Sequence, residues 1–149
     1  LCRAKWAVLA VVVVVVAGAQ SWGVLAVGRL LGLSTPPPIV HWAVCTAAMA
    51  VVSLVLLALH ILLSAAIANQ LAVLAVGLLG TLLAVFSRGL LEVVAHLAPW
   101  GYYALAGGAA HRGDGLEVVG TSIPSIVGLA AVAAVACTIL THRLDRLEA

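Results

Sequence analysis

At 149 residues the chain has room for one domain, and 65% of it is hydrophobic against 8% charged, where soluble domains carry about 25% charged residues. Such a composition excludes a water-solvated catalytic domain. A formal charge of +2 with no basic tract gives no electrostatic footprint for nucleic acid. No Gly-rich phosphate loop is present, so the chain by itself does not hydrolyse ATP.

The charges are segregated. Four long, nearly uncharged stretches, residues 6–28, 39–68, 71–87 and 122–141, account for most of the chain, and a bilayer core takes about 20 apolar residues per helical span. The predicted fold is all-α. It is a polytopic membrane helical bundle of four transmembrane helices, with an outer re-entrant or interfacial segment at residues 88–110 before the last span. Residues 1–149 form a single transmembrane domain.

The first span follows Arg3 and Lys5. Its β-branched run at residues 11–16 would be poor helix former in water, but in lipid the backbone must bond internally, and helix wins. Residues 1–19 also match a secretory signal peptide, with a basic start, an apolar centre and Ala17-Gly18-Ala19 before Gln20. The span is favoured because apolar sequence resumes at Trp22. Gln20 and Ser21, near its far end, are candidates to line a polar path. The chain begins at Leu1 rather than Met, and is read as a piece of a longer protein.

Ser34-Thr35-Pro36-Pro37-Pro38 cannot continue a helix and predicts a turn. The second span carries no charge and one histidine, His60, at membrane depth. A bundle-buried histidine, a substrate contact and a haem ligand are all open for it. Ala68-Asn69-Gln70 is a very short turn, so spans two and three form an antiparallel hairpin. Gly77 and Gly80 in span three are candidates for close helix packing.

Arg88, Glu92 and His96 follow at i, i+4 and i+8, on one helix face. Ionisable groups near membrane depth are costly and tend to be functional, so they are a candidate outer gate, or else an interfacial ion cluster. Pro99 breaks the helix, and Trp100, Tyr102 and Tyr103 suit an interfacial belt. Trp100 is retained as a candidate gate residue. Gly107-Gly108 and residues 111–115 read as a polar loop, in which Arg112-Gly113-Asp114 matches an adhesion tripeptide by chance. Pro124 fits the start of the last span. The tail alternates Arg143, Asp145, Arg146 and Glu148 around two leucines.

Cys2, Cys45 and Cys137 lie in or beside spans without close partners and read as small apolar residues. No carboxylate pair, Ser-His-Asp pattern or metal spacing supports catalysis, a resident metal or a cofactor. Basic residues flanking the ends favour cytoplasmic termini by a narrow margin.

The order of these features resembles the C-terminal part of ABC-2 type transporter permeases, especially lantibiotic-immunity and antimicrobial-peptide export permeases. The likeness rests on Arg3-Ala4-Lys5 leading into a long span and on the Asn69 turn feeding Gly77-Leu78-Leu79-Gly80. It rests also on Pro99-Trp100 before the last span, and on the short basic tail. It implies a permease subunit of an ABC exporter, not itself an enzyme, moving an amphipathic peptide or lipid-like antimicrobial across the plasma membrane. A separate ATP-binding subunit, a second permease copy or homologous permease, and membrane lipid would be its partners. A small secondary transporter and a haem-binding membrane anchor of a redox complex are the alternatives.

Overall fold

A computed structural model describes residues 2–32, 38–87, 96–112, 115–118 and 120–147. Helix α1 runs Cys2–Leu30 and α2 runs Ile39–Ala66. They are followed by α3, Gln70–Phe86, a 3-10 turn Pro99–Gly101, and α4, Tyr102–Ala106. Strands β1, Ala109–Arg112, and β2, Gly115–Val118, precede the last helix α5, Ile123–Leu147. The fold is helical, and within it Trp6–Leu30 and Ile39–Ala66 are long and apolar enough to cross a membrane. The apolar helices Gln70–Phe86 and Ile123–Ile139 are shorter.

Local chemistry sets the ends. Gly32 closes α1 at φ 74°, a left-handed conformation that glycine adopts without a Cβ penalty, and its N–H donates to the Arg29 carbonyl at 3.1 Å. Pro38 caps the start of α2, where its lack of an N–H costs nothing, and its carbonyl accepts from Trp42 N at 3.0 Å. Ile67 leaves α2 in extended geometry. Two residues later Asn69 caps α3, its Oδ1 accepting from Leu71 N at 3.0 Å. The carbonyl of Ser122 accepts the first bond of α5, from Ile126 N at 3.2 Å.

A short hairpin stands beside the helices, in the stretch expected to be a loop. Ala109 pairs with Val118 and Arg112 with Gly115, in antiparallel register. A stretch read as polar loop from composition therefore carries its own ladder.

Helix α2 is the hub. It is packed by α1 and by α5, and along part of its length by α3 and by the Pro99–Ala106 segment. The core is Ala48, Val52, Leu56, Ala106 and Ile126, so the most buried point lies where α2 meets α4 and the start of α5. Val52 is the largest fully buried side chain among the described residues. The less exposed positions of α1, Ala10, Val13, Ala17, Gly18, Ser21, Leu25 and Gly28, recur at helical spacing. Mostly small, they let the two backbones approach closely.

The outside is apolar. Trp22 is 75% exposed, Leu30 86%, Leu71 74%, Leu74 72% and Val132 69%. Water-solvated monomers do not present apolar surface on this scale, which fits a lipid or protein environment around the helices.

Across the α1–α2 contact the Thr46 hydroxyl donates to the Trp42 carbonyl at 2.9 Å, so the Ser21 hydroxyl donates to Thr46 Oγ1 at 2.6 Å. A double-mutant cycle with Ser21→Ala and Thr46→Ala, read by unfolding in mixed micelles, should give a coupling of about 0.6 kcal/mol, the average for such bonds between membrane helices. Zero coupling would show that the two hydroxyls merely share a seam.

Candidate functional site

A cleft of about 860 Å³ lies between α2, α3 and the Pro99–Ala106 segment. Its walls are largely apolar, with Leu56, Val73, Leu74 and Leu78, and its polar members are His60, Ser64, Gln70, Thr81 and Tyr103. Among the described residues no charged side chain lines it. Walls of this kind can take apolar or amphipathic matter.

Most of its hydroxyls are spent on local acceptors. Ser64 donates to the Ile61 carbonyl at 2.8 Å and Thr81 to the Gly77 carbonyl at 2.9 Å. Ser53 donates to the Met49 carbonyl at 2.8 Å, so the Tyr103 hydroxyl donates to Ser53 Oγ, also at 2.8 Å. This last bond pins α4 to the middle of α2.

His60 is the exception. Its Nδ1–H donates to the Leu56 carbonyl at 2.8 Å, one turn back in α2. In the neutral ring that leaves Nε2 as an acceptor. Nε2 lies against Gly77, where an added Cβ would come within 2.9 Å of it. The imidazole also meets the Trp100 indole edge to face, with centroids 5.9 Å apart and planes at 89°. Trp100 in turn lies on Gly80, where any Cβ would overlap the indole. His60, Gly77, Gly80 and Trp100 thus form one packed cluster along the α2–α3 seam.

The sequence places Trp100 in an interfacial belt. In the structure its ring packs against Gly80, eleventh of the seventeen residues of α3, away from either helix end. Pro99 starts a tight turn that carries the indole inward, and Gly80 leaves a dent that receives it.

The other singled-out residues lie elsewhere. Ser21 bonds Thr46 across the α1–α2 contact, and Gln20 is exposed on α1. His96 reaches Ser125 Oγ at 3.4 Å and meets Tyr102 edge to face, beside the start of α5. Arg88 and Glu92 lie outside the described residues, as do residues 88–95 of the segment 88–110 expected to be re-entrant.

Sequence reasoning passed over a second polar cluster. His41 Nε2–H donates to the Gly108 carbonyl at 3.2 Å. Cys45 Sγ lies 3.7 Å from that nitrogen and 3.2 Å from Thr121 Oγ1. Cys45, read from sequence as a small apolar residue, is half-buried among polar atoms. The signal was present: His41 and Cys45 stand four apart, on one helix face. Their partners, 67 and 76 residues away, could not be read from spacing.

Two histidines facing each other across a haem would need different helices or opposed faces. His41 and His60 stand nineteen residues apart in the same helix, about 28 Å along its axis. That separation does not let His41 and His60 share one haem. Among the described residues there is no group of three or more metal-binding side chains.

No family model, curated protein or solved structure matches the chain.

Gly80→Ala should lower stability by about 1–3 kcal/mol, as overpacking of a close contact does, and should free the indole. Combined with Trp100→Ala, most of that loss should disappear, because the colliding ring is gone. Additive effects in a thermal-unfolding cycle would show that Gly80 and Trp100 do not contact each other.

Proposed function

We propose that this chain is an integral membrane transport subunit, the C-terminal bundle of an ABC exporter permease. The reading is carried by one observation. A mostly apolar cleft, with no charged side chain among its described lining, lies between helices whose outer surfaces are themselves apolar, with a broken segment, Pro99–Ala106, inserted beside it. That arrangement suits amphipathic cargo that partitions from lipid. In this reading all four long helices cross the membrane, and the Pro99–Ala106 segment is re-entrant, entering and leaving on the outer side. Irregular backbone at such depth is tolerated where protein covers it, and Ala106 is fully buried.

The resemblance to antimicrobial-peptide export permeases supplies the rest. The cargo is an amphipathic peptide or lipid-like antimicrobial, a separate ATP-binding subunit drives alternating access, and a second permease completes the pathway. His60 and Trp100 sit at the pathway wall. Arg88, Glu92 and His96 form an outer gate.

Both termini then face the cytoplasm. In a background lacking native cysteines, impermeant thiol reagent should label cysteines at positions 35 and 113 in intact cells, and position 146 only after permeabilisation. The reverse pattern would invert the topology and move the proposed gate inside.

Transport itself is tested with the full-length protein, its ATP-binding subunit and a fluorescent amphipathic peptide in proteoliposomes. Efflux should require ATP. Thr81→Phe, which fills the cleft from an exposed position on its wall, should remove most of it while ATP-binding subunits still co-purify. Full efflux by that variant would take the cleft out of the pathway.

A further inference from the structure

We propose that His41, Cys45 and the Gly108 carbonyl, with Thr121 beside them, form a binding site for a thiophilic closed-shell metal ion, Zn(II) or Cu(I). The two side chains project from successive turns of α2, so the helix fixes their separation. Cys45 Sγ and His41 Nε2 are 3.7 Å apart. A tetrahedral ion with a metal–sulfur bond of about 2.3 Å and a metal–nitrogen bond of about 2.0 Å holds its sulfur and nitrogen about 3.5 Å apart. The pair is therefore spaced for an ion between them without movement of the helix.

Two oxygens close the set. The Gly108 carbonyl lies 3.2 Å from His41 Nε2, and Thr121 Oγ1 lies 3.2 Å from Cys45 Sγ. Gly108 has a specific part in this. A Cβ there would come within 2.6 Å of His41 Nε2 and would overlap Cys45 Sγ, so the absence of a side chain keeps the space beside the two donors open. Thiolate and imidazole together select soft or borderline ions over magnesium or calcium.

The protons balance simply. The thiol proton leaves to solvent, and the imidazole proton that now points at the Gly108 carbonyl moves to Nδ1, which frees Nε2 for the ion. With two protein side chains in the set, the ion takes either low coordination, as Cu(I) does, or carbonyl, hydroxyl and solvent oxygens, as Zn(II) does. Bound metal would join the first two turns of α2 to the residues on either side of the β1–β2 hairpin, fixing the hairpin base against the bundle.

The test uses the whole chain in detergent with Cys2 and Cys137 replaced by Ser. Equilibrium dialysis against Zn(II), and Cu(I) competition with a chromophoric chelator, should each be tried. One ion per chain for either metal is expected, and the preferred metal identifies the coordination. Co(II) used as a zinc probe should give a near-ultraviolet thiolate charge-transfer band in the otherwise unaltered chain, a readout that requires no ligand variant. Cys45→Ser, His41→Ala and Gly108→Ala should each weaken binding more than about 10-fold, a loss that even supporting residues around a metal can cause. Far-UV circular dichroism checks that each is folded. Binding of neither metal, undiminished binding by Cys45→Ser, or metal uptake with no thiolate band would each overturn the site.

Discussion

Everything about the placement of Pro99–Gly108 depends on backbone polar groups that must find partners in apolar surroundings. A regular helix satisfies its own, and a broken segment cannot, so its position is dictated by where donors and acceptors exist. The partners can be followed one by one. Gly101 N donates to the Ala98 carbonyl and Gly107 N to the Tyr103 carbonyl, closing single turns. The Leu105 carbonyl accepts from Ser122 N, which ties α4 to the start of α5, and the Gly108 carbonyl accepts from His41. The Tyr103 hydroxyl finds Ser53. Each external partner belongs to α2 or stands immediately before α5, so the segment is held between these two helices rather than lying free on the bundle.

The same constraint explains why the core sits where it does. In the bilayer proposed for this chain, two apolar helices gain little by hiding from lipid as apolar as themselves, and close fit and hydrogen bonds decide what packs. The side chains most completely covered, Val52 and Ala106, lie where α4 presses on α2. Helix α1 has no buried residue among those of its apolar stretch, and it is attached through small residues and the Ser21–Thr46 bond. Irregularity concentrates contacts, while regular helices at the edge stay exposed.

This division also marks what the sequence could disclose. Helical stretches are legible because hydropathy acts locally: the apolar run ending near Ala68, the Asn69 cap and the break at Pro99 each depend on a few neighbouring residues. Gly77 and Gly80 announce a close approach, but not what approaches them. The arrival of Trp100 over Gly80 joins positions twenty residues apart, and the Gly108–His41 bond joins positions 67 apart. Aromatic residues near the end of a span carry the same composition whether they rest at a headgroup or turn inward. The hairpin was hidden for a related reason. Its strands are four residues each and their ladder is antiparallel, so pairing rather than propensity defines them.

Length sharpens the reading of the cleft. The seventeen residues of α3 extend about 25 Å, short of a hydrocarbon core of about 30 Å. In the four-span reading proposed above, a helix of that length would have to thin the bilayer or be extended by what adjoins it. At its end Ser87 is nearly fully buried and its hydroxyl donates to the Ala84 carbonyl at 2.7 Å, so this terminus is turned into protein rather than out to a headgroup. Alongside it, the indole of Trp100 fills the dent at Gly80 and meets the ring of His60 across the seam. The short helix and the inserted segment thus complement each other. Pro99–Ala106 packs alongside the middle of α3, and the cleft lies between them and α2. A transporter of amphipathic cargo needs such a place, since a fully packed four-helix seam offers no entry and a water-filled one would admit ions.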